Sequence, residues 1–170
     1  MTAADYVACL QLQPHPEGGY YQETYRSADN IPHNSLPPRF AQSTTGDRSF
    51  ATAIYFLLPA GEFSAFHQIK SDEGWHFYAG GSMLIHVLHP SGRYEQIKLG
   101  PNLPQGENFQ AVVPAGAWFA SEPAPGTAFA LVGCTVAPGF DFADFQMARA
   151  QTLLPLCPEQ SELITRLCRL

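Results

Sequence analysis

Between residues 51 and 136, apolar and polar positions alternate in eight short runs: 51–58, 63–69, 74–79, 83–89, 93–98, 109–113, 117–121 and 128–136. Successive side chains of a strand point to opposite faces, so a period of two predicts half-buried β-strands. Gly, Pro and Asn separate the runs, and short strands at that spacing predict an all-β sandwich or barrel. The run 83–89 is apolar on both faces and is predicted to be central. His89-Pro90-Ser91-Gly92 reads as a hairpin turn. Ahead of these strands, Thr2 and Asp5 form a capping-box pattern that opens a short amphipathic helix, ended before Pro14. Pro16-Glu17-Gly18-Gly19 reads as a turn, and the tyrosine-rich run after it as a strand. Simple alternation puts Tyr21, Glu23 and Tyr25 on one face of that strand, with Tyr20, Gln22, Thr24 and Arg26 on the other. Residues 28–49 carry three prolines and few apolar groups, which predicts an irregular surface loop or lid. Residues 140–145 read as a turn into a short helix. In the tail, Leu163, Ile164, Leu167 and Leu170 recur at helical spacing.

Composition narrows the class of partner. At 170 residues the chain is expected to form one domain over 1–170. A net charge of −6 with no Lys/Arg cluster excludes a nucleic-acid partner, which requires a basic face. The longest apolar run, 53–60, is too short to span a bilayer, so no membrane association is expected. The start lacks a basic segment followed by an apolar one, and the expected location is cytoplasmic. The four cysteines show no CxxC spacing and read as ordinary thiols.

Chemistry concentrates between Gly61 and Gly80. Read as strand, polar turn and strand, this stretch forms a hairpin that sets His67 close to Glu73, with Trp75 and Phe77 sharing the Glu73 face. His76 turns to the opposite face unless a β-bulge intervenes.

The spacing of Gly61, His67, Glu73 and Gly80 resembles the first motif of the cupin superfamily, with Ile69 at the second histidine position. Pro114-Ala-Gly116-Ala-Trp118-Phe119 resembles the second motif, with Phe119 in place of its histidine. A closer resemblance runs through His15-Pro-Glu-Gly-Gly-Tyr20, Glu23-Thr-Tyr-Arg-Ser27, Ser71-Asp-Glu-Gly-Trp-His-Phe-Tyr78, Val113 to Phe119 and Val132 to Phe140. These segments are similar to an uncharacterised single-domain cupin family of bacteria and fungi. That resemblance implies a double-stranded β-helix (jelly-roll) barrel, usually a homodimer, similar in shape to nucleotide-sugar 3,5-epimerases. It implies no established reaction.

Three functional readings follow. A cupin metal site uses three histidines and a glutamate, and only His67 and Glu73 remain here to act as ligands; two are too few, so no cofactor is expected, with a metal-dependent enzyme of reduced ligand set as the alternative. Without metal, His67 as base, Glu73 orienting it and Tyr21 or Tyr25 as acid would suit an isomerase or epimerase. Alternatively the barrel binds a small molecule, sugar-like or nucleotide-sugar-like, without turnover. Glu23 and Arg26 are then candidates to contact the ligand, because charges on a mostly apolar strand are paired or face a pocket. Arg48 reads either as a holder of an anionic group or as a surface residue. Trp75, Phe77, His76 and Phe119 are candidate ligand contacts, with plain core as the alternative for the aromatics.

Overall fold

The computed structural model describes residues 1–41 and 46–169. Helix α1 (Ala3–Cys9) opens on the expected capping box. The Asp5 amide donates to the Thr2 hydroxyl, and the Thr2 amide donates to the Asp5 carboxylate. The strands are β1 (Gln13–Pro14), β2 (Tyr20–Arg26), β3 (Asn30–Ile31), β4 (Arg48–Ser49), β5 (Thr52–Pro59), β6 (Ser64–Gln68) and β7 (Asp72–Gly80). They continue with β8 (Met83–Leu88), β9 (Tyr94–Leu99), β10 (Gln110–Val113), β11 (Trp118–Pro123), β12 (Phe129–Ala137) and β13 (Gln146–Met147). Helices α2 (Ala150–Leu153) and α3 (Ser161–Leu167) close the described chain. All eight strands expected between residues 51 and 136 form.

A six-stranded antiparallel sheet has the order β1-β2-β5-β12-β7-β10, and a five-stranded one the order β13-β6-β11-β8-β9. From β5 to β12 the chain passes repeatedly between the two sheets, as in a jelly roll. Phe56, Leu58, Trp75, Ile85, Phe119 and Val132 fill the space between them. On the outside of the five-stranded sheet, Phe66, Leu88 and Ala120 are covered by Leu153, Ile164 and Leu167 of α2 and α3. On the outside of the six-stranded sheet, Leu57 and Leu131 pack beneath α1 and Leu12. No helix among the described residues is long and apolar enough to cross a membrane.

The stretch around His67 and Glu73 is not a hairpin. Strand β6 pairs with β11 and β13, whereas β7 pairs with β12 and β10, so the turn between them crosses from one sheet to the other. The reason is burial on both faces of β6. Its Phe66 packs outward under the C-terminal helices while His67 points into the barrel. Both strands present alternate residues to one interior, and a period of two does not reveal which sheet each joins. In the 28–49 segment, β3 pairs with β4 and two 3₁₀ turns (His33–Ser35, Pro38–Phe40) bury Phe40. Residues 42–45 of the expected loop, and Leu170 of the expected C-terminal helix, lie outside the described residues. The helix expected over 140–145 is a single 3₁₀ turn, Phe142–Asp144, which leads into β13.

Candidate functional site

A cavity of about 360 Å³ opens at one end of the barrel. His67, Glu17, Glu73 and Cys134 belong to its polar depth, Ile54, Ile69 and Val136 to its apolar wall, and Glu23, Arg26 and Phe142 to its lining from β2 and the 140–145 turn. The β1–β2 turn enters the barrel and carries His15 and Glu17 with it. Its shape depends on two glycines with positive φ, Gly18 at 118° and Gly19 at 72°. A Cβ on Gly18 would collide with the Phe63 carbonyl, and one on Gly19 would lie 2.7 Å from the Leu57 carbonyl. The Glu17 carbonyl accepts from the Ala65 amide at 2.9 Å and from Arg169 at 3.2 Å, which anchors the turn from outside.

Two β-bulges aim the remaining polar groups. In β6 the register against β11 slips between Phe119 and Ser121, so Ser64 and His67, three residues apart, both reach Glu17. The Ser64 hydroxyl donates to Glu17 Oε1 at 2.9 Å, and His67 Nε2 lies 3.1 Å from Glu17 Oε2. In β2 the register against β5 slips between Glu23 and Tyr25. The bulge turns Arg26 onto the Glu23 side and Tyr25 outward, reversing the alternation expected from sequence.

The tautomer of His67 follows from its partners. Nδ1 lies 2.8 Å from the Ala65 carbonyl, which only accepts, so Nδ1 carries a hydrogen. Nε2 lies 3.1 Å from Glu17 Oε2, close enough to pair with that carboxyl when either group carries a proton. Phe119 and Phe145 hold the ring, with centroids 4.1 and 5.2 Å away. His15 has the opposite tautomer when neutral. Its Nδ1 accepts from the Glu17 amide at 3.3 Å, leaving hydrogen on Nε2, which has no partner among the described residues.

Burial dominates the electrostatics. It pushes the Glu17 carboxyl up and the imidazoles of His67 and His15 down, so each favours its uncharged form. Glu73 is pushed up to about 7, first by burial and then by the Glu17 carboxylate, with His67 and the Cys134 thiol acting in the other direction. The Cys134 thiol that donates to it is a weak donor. Burial also raises Cys134 well above the usual thiol range, which leaves it a poor nucleophile.

The sequence-derived candidates divide clearly. Tyr21, Glu23, Arg26, His67 and Glu73 line the cavity. Tyr25 is 54% exposed on the far side of its sheet, because of the bulge. Arg48 is buried, neither a surface residue nor an open anion holder. Its Nε and Nη2 donate to Asp144 at 2.6 and 3.0 Å, and Nη1 donates to the backbone carbonyls of Gly46 and Asp47. Trp75 is core, packed edge-on to Phe56 and Phe119; Phe77 packs beside that core. Phe119 also belongs to the core and meets the site only through the His67 ring. His76 lies on the outer face, bonded to Thr135 at 2.9 Å and to Gln110 at 3.2 Å. His67 is oriented by the Ala65 carbonyl and Glu17 rather than by Glu73. Sequence reasoning passed over Glu17, His15 and Cys134. For Glu17 the signal was present, since an acid beside two glycines that admit close backbone approach is a placed side chain as readily as a turn residue.

The donor set does not fit a cupin metal centre. Of its four positions, Ile69 and Phe119 supply no lone pair, and both nitrogens of His67 are engaged. Among the described residues no group of three or more His, Cys, Asp or Glu is arranged to hold an ion.

Comparison with known proteins agrees with this architecture. Residues 4–148 match the family described as Cupin superfamily (DUF985). The uncharacterized protein YML079W of Saccharomyces cerevisiae is 31% identical over 150 residues, covering 83% of this chain and 72% of the yeast protein. Among solved structures, a hypothetical protein from Leishmania major is 33% identical, with a TM-score of 0.87 and full coverage of both chains. Protein SO0799 from Shewanella oneidensis is 37% identical, with a TM-score of 0.85, covering 99% of this chain and 98% of that one. Oxalate decarboxylase from Bacillus subtilis is only 16% identical with a TM-score of 0.53, covering 91% of this chain and 36% of the enzyme, and shares the fold alone. Barrel topology and a family match over residues 4–148 make this chain a member of the DUF985 family of the cupin superfamily.

Proposed function

We propose that the barrel binds a small molecule and moves a proton on it without a metal, as an isomerase or epimerase does. The observation that carries this reading is the pairing of two unlike proton carriers in one cavity. Glu73, from the six-stranded sheet, has a carboxyl poised near neutrality beside the Cys134 thiol. From the five-stranded sheet, His67 sets its Nε2 3.1 Å from Glu17 Oε2. Glu73 takes a proton from carbon next to a carbonyl, and the His67–Glu17 pair returns one, with Tyr21 on the wall as a further donor. Separate groups with separately tuned affinities allow removal and return from different sides. Incubation with aldoses, ketoses and lactones in D₂O tests this, read by NMR. Deuterium is expected at the carbon beside the carbonyl with the native protein and not with Glu73→Gln or His67→Ala. A panel member that binds without exchanging hydrogen overturns it.

A second reading, binding without turnover, is favoured by one observation. Glu17 is already satisfied by Ser64 and His67, an arrangement that also suits a rigid binding wall. A tightly held, chemically unaltered metabolite released on denaturation and identified by mass spectrometry supports it. We also propose a homodimer. Large apolar side chains, Tyr25, Tyr78 and Val112, stand exposed on the outer face of the six-stranded sheet, and among the described residues β2 has an edge free beyond its pairing with β1.

A further inference from the structure

The cavity's charges restrict what can enter it. Among the described residues, Arg26 is the only lysine or arginine in its lining, against four carboxyls: Glu17, Glu23, Glu73 and Asp141. Every nitrogen of that guanidinium is already engaged. Nε and Nη2 donate to the two oxygens of Glu23 at 3.0 and 2.7 Å, and Nη1 donates to the Phe140 carbonyl at 3.1 Å and to Ser49 at 3.4 Å. Arg48 and Lys70 meet Asp144 and do not line the cavity. A phosphate or carboxylate brought inside would leave water, find no uncommitted cation and face several acids. A cation fares little better, because Glu23 is matched by Arg26 and burial favours the protonated forms of Glu17 and Glu73. Hydrogen-bonding capacity remains instead on the Nε2 hydrogen of His15, on the Glu73 carboxyl beyond its contact with the Cys134 thiol, and on the amide of Gln13. Tyr21 and Phe142 add ring surface. The volume, about 360 Å³, lies at the small end of the roughly 300–1,000 Å³ found for ligand pockets.

We infer that the ligand is an uncharged molecule of about monosaccharide size bearing hydroxyl or carbonyl groups, and that phosphorylated, carboxylated and nucleotide-linked forms are excluded. This rests on the reading of the cavity as the ligand site and deepens it by naming the substrate class.

The test is titration calorimetry on the full chain with matched probes: glucose, galactose and mannose, their 6-phosphates, their uronic acids and their 2-amino analogues. At least one neutral sugar is expected to bind about tenfold more tightly than each of its charged counterparts. Glu23→Gln, which releases Arg26, is expected to raise affinity for the matching phosphate or uronate several-fold and to leave the neutral sugar bound. The inference is overturned if a charged form binds as tightly as its neutral counterpart, or if no neutral sugar binds. An unchanged preference in Glu23→Gln overturns the assignment of anion exclusion to the Glu23–Arg26 pair. Deuterium exchange measured on the same samples separates this from the acid–base reading. Neutral binding without exchange preserves the ligand class and removes the chemistry; exchange on a tightly bound phosphate does the reverse.

Discussion

Glu73 is the residue on which pH should act most plainly. Its carboxyl titrates near 7 in the fold and near 4.5 when free, so between those values the folded chain keeps a proton that the unfolded chain has released. Stability contributed by this group is therefore complete below pH 4.5 and falls as pH rises through 7, by about 3 kcal/mol in all. His15 and His67, pushed down by burial, work in the other sense and cost stability as pH falls below 6.5. A comparison of native protein with Glu73→Gln isolates the carboxyl. The melting temperatures are expected to coincide near pH 4.5, with the variant gaining steadily up to pH 7 and holding its lead above. A variant less stable at pH 8 would show that the ionised carboxylate has support other than Cys134. The same titration sets the expected rate profile. A base must be deprotonated to act, so exchange should rise with pH through about 7.

Arg48 makes the complementary point about charge at a single position. Paired in two places with Asp144 and only 2% exposed, it is a structural cation. Breaking a buried pair from one side leaves the partner's charge uncompensated, and Arg48→Ala should cost about 3 kcal/mol in urea unfolding. Lys70, 3.6 Å from Asp144, will recover part of that.

At the scale of elements, the site is made by departures from regular strands. The bulge in β6 gives Glu17 two partners from one strand, and the bulge in β2 joins Glu23 to Arg26. The glycine turn between β1 and β2 brings the carboxyl itself. Gly18→Ala should therefore do more than strain the backbone. With φ at 118° and the Phe63 carbonyl in the way, the turn must move, and Glu17 with it. Expected are a loss of about 1–3 kcal/mol in stability and loss of the His67–Glu17 contact, seen as a changed ¹⁵N shift of His67 Nε2. An unchanged His67 spectrum would show that the turn tolerates the methyl group without moving Glu17.

At the scale of the molecule, helices seal the outside of each sheet and leave the mouth of the barrel and part of the six-stranded face open. Arg166 of α3 donates to Glu122, which also meets His86, so the C-terminal helix is tied to the five-stranded sheet by charge as well as by Ile164 and Leu167. Among the described residues the opposite sheet has no such cover over Tyr78 and Val112. If the proposed dimer uses that face, light scattering should report twice the chain mass, and Val112→Glu should reduce it to that of one chain. A monomer in the native protein would remove the proposal.

The amino-acid sequence alone determined the eight strands between residues 51 and 136 and the capped first helix, and it singled out His67 and Glu73, which line one cavity. Alternation, glycine and proline are local properties, and local properties survive in a string of letters. The placement of β6 and β7 in opposite sheets, the outward turn of Tyr25 and the capture of Arg26 by Glu23 were decided only in three dimensions. Each depends on a register slip or on a partner strand far along the chain, and one extra residue in a bulge inverts every face assignment after it. Glu17 belongs with these, for its role exists only once a glycine turn meets a strand nearly fifty residues away.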